Sequence, residues 1–274
     1  MQPSHLNTAK NLSYIIALLA LVAAAGGILL GSLYRDNAFV TAAWKANDWI
    51  TLLVAIPALV AAVVFSMRGQ QRAQLVWAGM LDYMLYNYAF YLFGARFNAF
   101  FLIYATLFAL SMLALVFCLL SINAAAIHQH FHPRTPVRWI SGYMLFVAIG
   151  LISVYTAQST QFIVNGQLPA LIQLTEHPTS VVFALDLSLL VPGLILGSIW
   201  LWQRRPWGYI LAGMFLVKGT VYTLVLTVGS FAAARAGITS AASEAPLWII
   251  LTVAGGAFSL LFLSRLQTGV RTKV

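Results

Sequence analysis

Long apolar runs follow one another along the whole chain, and short polar stretches separate them. About 20 apolar residues are enough for a helix to cross a bilayer. The runs are Leu12–Leu33, Trp49–Met67, Ala73–Phe93, Ala99–Leu120, Trp139–Tyr155, Val181–Trp202, Trp207–Ala232 and Leu247–Leu263. A transmembrane barrel would instead show short segments of alternating polarity. The pattern therefore predicts an all-α polytopic membrane protein, a bundle of eight transmembrane helices that forms a single domain over residues 1–274.

The composition agrees with this pattern, because 61% of the 274 residues are hydrophobic and only 8% are charged. A soluble domain is about a quarter charged, so a soluble protein is excluded and the lipid bilayer is the predicted partner. The net charge of +9 lies mainly in short loops, which indicates contact with anionic headgroups rather than nucleic acid. The first apolar run, about 22 residues long, exceeds the core of a signal peptide and is interpreted as a retained helix.

The basic residues lie predominantly on one side of the predicted bundle. With eight spans, one face receives ten Lys and Arg residues and no acid: Lys10, Arg68, Arg72, Arg134, Arg138, Arg204, Arg205, Arg265, Arg271 and Lys273. On the other face, basic residues are mixed with aspartate and glutamate. By the positive-inside rule, both termini are predicted to be cytoplasmic.

Two stretches, residues 48–86 and 186–222, share an ordered set of residues. The pairs are Asp48 and Asp186, Pro57 and Pro192, the arginine turns 68–72 and 204–205, the Ala-Gly-Met triplets 78–80 and 212–214, and Tyr86 and Tyr222. Four spans separate the copies, so they share an orientation and predict a parallel 4+4 repeat, with pseudo-repeats at about 12–120 and 137–265. Chance is the alternative, because apolar helices use a small alphabet of residues and the acid-to-proline spacing differs between the copies.

Three ionisable residues, Asp82, Asp186 and Lys218, lie inside predicted spans. A charge at the bilayer centre costs roughly 2.5–3.5 kcal/mol on insertion scales, so such residues normally face the bundle interior and have a partner. At 1.5 Å per residue, Asp82 lies about 15 Å and Lys218 about 18 Å from the basic face, and Asp186 about 10 Å below the other face. We therefore expect Lys218 to reach Asp82, Asp186 or both.

Further polar residues lie toward the outer ends of the spans. They are Asp48, Tyr86, Asn87, Arg96, Glu176 and His177. Together with Lys218 they predict a polar pocket that opens outward and has Lys218 at its floor. The alternative is a structural ion pair that locks helices together, with the tyrosines as interfacial anchors. The outer segment Thr156–Thr179 is interpreted either as a lid or as a loop at the headgroups.

These features favour an integral membrane protein that binds or transports a small polar or anionic solute, with Asp82 and Asp186 tuning Lys218 or carrying a coupling proton. One alternative is a membrane-embedded enzyme for a lipid or isoprenoid substrate, with Glu176 and His177 among its acid–base groups. Another is a non-catalytic assembly or sensor subunit. The sequence contains no serine nucleophile elbow, HExxH, P-loop or dinucleotide fingerprint, and it identifies no cofactor.

A short histidine run, His128, His130 and His132, lies on the predicted cytoplasmic side. Imidazoles at this spacing are weak candidates for binding Zn²⁺, Ni²⁺ or Cu²⁺. A solvated interfacial loop is the favoured interpretation, because no cysteine accompanies them and the nearest carboxylates are predicted elsewhere.

The C-terminal third carries a loose resemblance. Its residues are Glu176-His177-Pro178-Thr179, Asp186, Pro192, Arg204-Arg205-Pro206-Trp207-Gly208-Tyr209 and Lys218. This pattern resembles uncharacterised bacterial multispan membrane proteins, a group with no established activity. The resemblance implies a bacterial inner membrane and carries over no functional residue.

Overall fold

The structure is a computed structural model that describes residues 3–238 and 242–267. These residues form helices joined by short loops, with one isolated antiparallel bridge between Phe131 and Leu266. The helices are α1 (Pro3–Leu29), α2 (Ala38–Met67), α3 (Gln71–Gly94), α4 (Phe101–Ser121), α5 (Ala124–His130), α6 (Val137–Asn165), α7 (Ala170–Thr175), α8 (Val181–Trp202), α9 (Pro206–Arg235) and α10 (Ala245–Ser264). The all-α prediction is confirmed.

Seven of these helices are long and apolar enough to cross a membrane: α1, α2, α4, α6, α8, α9 and α10. Their outward faces carry large apolar side chains such as Leu102, Phe146 and Leu260, each at least 70% exposed, as expected for contact with lipid. The remaining long helix, α3, has 24 residues and therefore spans about 36 Å. It is more polar than the other seven because most of its residues are enclosed by the other helices.

Helices α2 and α6 extend well beyond the runs that the sequence pattern predicts. Helix α2 begins at Ala38 rather than near Trp49, because the Asn37 side chain caps it by accepting from the Val40 N–H at 3.0 Å. Helix α6 continues to Asn165 and ends at Gly166, which adopts a left-handed conformation. The prediction that residues 156–179 form one outer segment was therefore wrong for its first part, where the helix continues.

Helices α3 and α9 cross closely at the centre of the bundle. A Cβ placed on Gly79 of α3 would lie 2.7 Å from Val217 Cβ and 2.9 Å from the Met214 carbonyl oxygen of α9. A Cβ on Gly213 would lie 3.1 Å from Leu75 of α3. The two Ala-Gly-Met triplets thus meet at one helix crossing, where only hydrogen at the α-carbon allows this approach.

Helices α2 and α8 share a local irregularity. Each contains a five-residue π-helical segment, Thr51–Ala55 in α2 and Asp186–Leu190 in α8. Each segment lies two to six residues before a proline, Pro57 or Pro192. The residue preceding the proline donates its N–H to the carbonyl five residues back, which is the wider π pattern. Proline has no backbone N–H to donate, and its ring crowds the preceding turn of the helix. A widened π turn accommodates both effects.

One end of the bundle gathers most of the predicted basic loops, and we call it the basic end. Arg72 Nε at the start of α3 donates to the Leu266 carbonyl at 2.7 Å. The His132 N–H donates to the Arg265 carbonyl at 2.9 Å, and Arg204 reaches the same loop. The predicted basic residues Arg271 and Lys273 lie outside the described residues.

Candidate functional site

Lys218 lies at the centre of the bundle, next to the crossing of α3 and α9. Its side chain is only 2% exposed, and its ammonium nitrogen lies 3.9 Å from the centre of the Tyr86 ring and 5.9 Å from that of Tyr222. This is a cation–π arrangement. Asp82 and Asp186 are the carboxylates that act on Lys218 electrostatically. Within residues 3–238 and 242–267, however, no carboxylate oxygen lies within 4.0 Å of its ammonium.

Asp186 is held by two tyrosine hydroxyls. Tyr86 of α3 donates to Oδ1 at 2.7 Å, and Tyr155 of α6 donates to Oδ2 at 2.6 Å. Asp186 is the first residue of the π segment of α8 and is 3% exposed. The Tyr86 ring also meets the Tyr222 ring edge-on, with 4.8 Å between centroids. Tyr86 therefore contacts both the Asp186 carboxylate and the Lys218 ammonium.

Asp82 lies one helical turn before Tyr86 on α3, so the two side chains share a face. Its Oδ2 atom is buried and has no hydrogen-bond partner in the part of the chain that the structure describes. Lys218 is the charged group that acts on it. Among the described residues, the buried Asp82 Oδ2 atom has no donor, and the nearby Lys218 ammonium has no bonded acceptor. A small polar molecule between them would supply both hydrogen bonds.

Asp48 forms a second carboxylate site with the same chemistry. Tyr34, from the loop after α1, donates to Oδ2 at 2.5 Å, and Tyr91 of α3 donates to Oδ1 at 2.8 Å. The backbone of α1 closes the site from one side, since a Cβ on Gly27 would overlap both Asp48 Oδ2 and the Tyr34 hydroxyl. The Tyr91 hydroxyl also lies 3.1 Å from the Trp44 carbonyl.

A chain of amide and hydroxyl groups lies beside Asp48. Asn47 Nδ2 donates to Asn87 Oδ1 at 2.6 Å, and the Tyr83 hydroxyl donates to Asn47 Oδ1 at 3.1 Å. The chain ends at Thr51, 3.2 Å from the Tyr83 hydroxyl, inside the π segment of α2. Asn87 Nδ2 is buried and unpartnered among the described residues. Polar groups of α2 and α3 are thus paired across the helix interface.

The end opposite the basic end is closed by a polar cap. Asp36 accepts from the Trp44 indole N–H at 3.2 Å and from the Arg96 backbone N–H at 3.1 Å. Arg96 forms an exposed ion pair with Glu176 at 3.2 Å. His177 Nε2 lies 3.9 Å from Asp36 Oδ1, with both side chains largely buried. These contacts join the loop after α1, the loop after α3 and the segment before α8.

The nine residues that the sequence assigned to one pocket fall into three groups. Lys218, Asp82, Asp186 and Tyr86 are gathered at the centre. Asp48 and Asn87 lie in the tyrosine and amide cluster of α2 and α3. Arg96, Glu176 and His177 belong to the cap.

Sequence reasoning missed the side chains that hold the two carboxylates. These are Tyr34 and Tyr91 at Asp48, and Tyr155 at Asp186. Tyrosines in membrane proteins are commonly interfacial, and their positions alone indicated anchors. The one available signal was depth, because Tyr91 and Tyr155 lie in α3 and α6, and inside a bundle a tyrosine hydroxyl needs a polar partner.

The histidine run makes separate contacts at the basic end. The His130 Nδ1 atom lies 2.6 Å from the Ala126 carbonyl, the His132 ring accepts from the Arg134 N–H, and the His128 ring packs on Tyr209. In the described ranges, no group of three His, Cys, Asp or Glu side chains is arranged to hold a metal ion. An open cavity of about 470 Å³ at this end, lined by residues 120–125, Pro206 and Trp207, is separate from Lys218.

Comparisons with protein-family models, with curated proteins and with solved structures found no match for this chain.

Proposed function

We propose that this chain is an eight-span integral membrane protein of a bacterial inner membrane, with α3 as the eighth span and both termini cytoplasmic. The length of α3 and its enclosure by α2, α4, α8 and α9 support this count. The gathering of arginine-bearing loops at the basic end supports the orientation, because positively charged loops remain on the cytoplasmic side. The bacterial assignment rests on the resemblance of the C-terminal third.

We also propose that the bundle consists of two similar halves of four spans each. The π segments of α2 and α8 support this repeat, since both occupy the same positions relative to their prolines. The meeting of the Ala-Gly-Met triplets at the crossing of α3 and α9 also supports it, because a two-fold axis between halves brings equivalent positions together. In membrane proteins built from repeats, the interface between the halves is the usual place for a substrate site.

The proposed function is to bind or transport a small polar or anionic solute at Lys218. One observation carries this proposal: the ammonium lies against the Tyr86 ring, while Asp82 Oδ2 nearby is buried without a donor. In a helix-locking ion pair, the two charges would be bonded directly, because a buried charge without a partner is costly. A solute with an anionic or acceptor group for Lys218 and a donor group for Asp82 would satisfy both.

Water access to Lys218 is the first test. Cys118 is the single cysteine, so Cys118→Ser gives a background in which Lys218→Cys is the sole thiol. In this variant we expect a charged methanethiosulfonate reagent to label the thiol in membrane vesicles, because a solute site must open to water. Leu260→Cys on the outward face of α10 is the control and stays unlabelled. No labelling of Lys218→Cys from either side of the membrane would support a sealed structural role instead.

Solute binding is tested with small probes on the purified protein. We expect at least one of acetate, inorganic phosphate and glycine to raise the unfolding temperature of the wild type but not that of Lys218→Met, because a ligand stabilises the state that binds it. Labelling Lys218→Cys with aminoethyl methanethiosulfonate restores a lysine-like ammonium and is expected to restore the shift. A shift retained in Lys218→Met would contradict the proposed site.

Transport is tested separately by loading vesicles. A probe that binds at Lys218 is expected to enter vesicles containing the wild-type protein and not those containing Lys218→Met. Chemical conversion of a bound probe would favour the enzyme alternative. A bound probe that is neither moved nor converted would favour the sensor alternative.

A further inference from the structure

Asp48 is a buried carboxylate that has no Lys, Arg or His nitrogen within 4.0 Å in the described part of the chain. It is 3% exposed, and both oxygens accept hydrogen bonds from tyrosine hydroxyls, Tyr34 at 2.5 Å and Tyr91 at 2.8 Å. Asp186, which the sequence comparison pairs with Asp48, also has two tyrosine donors but lies near Lys218. The two sites therefore differ in one respect, the presence of a counter-cation.

Five tyrosines interact electrostatically with Asp48. The helices and the loop packed around it contribute Tyr34, Tyr83, Tyr88, Tyr91 and Tyr104. No Lys, Arg or His nitrogen among the described residues lies within 4.0 Å of Asp48. The titratable groups of the cap, Asp36, Arg96, Glu176 and His177, contact one another instead.

The tyrosines beside Asp48 supply hydrogen bonds but no charge. Burial, and then the neighbouring Asp48 carboxylate, raise the pKa of Tyr34 well above its ordinary value, so this hydroxyl keeps its proton. A carboxylate that ionised here would be a negative charge in an apolar bundle with only neutral donors around it. Such a charge is costly, and taking up a proton removes it.

The space around Asp48 excludes a metal cation as the neutralising partner. The α1 backbone is so close that a Cβ on Gly27 would overlap Asp48 Oδ2 and the Tyr34 hydroxyl. A cation such as Na⁺ or Ca²⁺ needs several oxygen ligands converging at about 2.3–2.6 Å, whereas here both carboxylate oxygens are already occupied by hydroxyls. A proton needs no such space.

We propose that Asp48 is a proton-binding site that is protonated in the arrangement described above and is linked through α3 to the solute site. One proton adds to Asp48 Oδ1 and converts the anion into a neutral carboxylic acid. The acid then donates to the Tyr91 hydroxyl, which turns its own hydrogen to the Trp44 carbonyl 3.1 Å away. Helix α3 carries Tyr91, which holds Asp48, and Tyr86, which contacts Asp186 and Lys218. A shift of α3 that changes solute contacts therefore also changes the donors at Asp48. The link, though not the proton site itself, rests on the proposed function.

Infrared spectroscopy of the protein in lipid tests the protonation directly. At neutral pH we expect the wild type to show the carbonyl stretch of a protonated carboxylic acid, and Asp48→Asn to lack that component. The component is expected to disappear as the pH is raised and Asp48 ionises. Glu176→Gln is the control, because this carboxylate is exposed and paired with Arg96, and the substitution leaves the component unchanged.

Identical carboxylic-acid bands in the wild type and Asp48→Asn would overturn the proposal. If Asp48→Asn does not fold, Tyr34→Phe gives an independent test. Removing one hydroxyl donor is expected to shift the same band to higher frequency, and an unshifted band would also overturn the proposal. Failure of every probe to bind at Lys218 would leave the Asp48 band in place, so the two proposals fail separately.

Discussion

Gly79 is the position at which the packing of α3 against α9 can be tested most sharply. In Gly79→Ala, the new Cβ would lie 2.7 Å from Val217 Cβ and 2.9 Å from the Met214 carbonyl oxygen, whereas non-bonded carbon atoms prefer about 3.5–4.0 Å. The two helices must therefore separate by about 1 Å, and overpacking of this kind typically costs about 1–3 kcal/mol. Val217 precedes Lys218, so the displacement also reaches the solute site.

The matched control is Gly150→Ala on the exposed face of α6, where an added Cβ meets nothing within 4 Å. Both substitutions gain the higher helix propensity of alanine, about 1 kcal/mol relative to glycine. The difference between the two variants therefore isolates the packing cost. We expect the free energy of unfolding of Gly79→Ala to be lower than that of Gly150→Ala by about 1–3 kcal/mol.

Cys118 provides the assay, because it is the only cysteine and is fully buried. A thiol-reactive dye added to the protein in mixed micelles reports unfolding as dodecyl sulfate is titrated, since the thiol becomes accessible only when the bundle opens. Equal stability of the two variants, or greater stability of Gly79→Ala, would refute the close approach of α3 and α9.

Three further predictions concern the polar sites, and the same unfolding assay measures each. Gly27→Ala is expected to lower stability by about 1–3 kcal/mol, because its Cβ overlaps the Asp48 carboxylate; wild-type stability would contradict that contact. Tyr155→Phe removes the donor to Asp186 Oδ2 and is expected to cost about 1–3 kcal/mol; a neutral result would argue against this hydrogen bond. Arg96→Gln breaks only an exposed ion pair and is expected to cost less than about 1 kcal/mol, so a large loss would indicate a stronger role for the cap.

The helical fold could be predicted from sequence because lipid requires long apolar runs, and those runs are plain in the chain. Residues 181–202 were predicted with the bounds that the structure gives. The start of α2 was missed because Lys45, Asn47 and Asp48 make its first turns polar. Asn47 and Asp48 are buried against α3 and the loop after α1, and Lys45 is exposed. Polarity alone does not distinguish a loop from a helix whose polar groups are paired inside a bundle.

The candidate site could be predicted only in part. The depths estimated from residue positions along the spans placed Lys218, Asp82 and Asp186 at similar levels in the bilayer. The structure places all three in one region. The contact of Lys218 with the Tyr86 ring depends on side-chain direction and on the rotation of α9 against α3, which spacing along one helix does not determine. Asp48 was grouped with Lys218 because it was assigned to the outer part of one pocket with Lys218 at its floor, but position along a span does not determine which side chains meet.

The polarity of α3 has a consequence for how the chain enters the membrane. With Asp82, Asn87, two glutamines and four tyrosines, α3 alone would leave many polar groups facing hydrocarbon, and each unpaired group costs free energy there. Its partners on α2 lie earlier in the chain, but those on α8 and α9 are synthesised more than 80 residues later. Helix α3 therefore depends on its neighbours for stable insertion, and truncation before α8 is expected to leave it poorly retained in the bilayer.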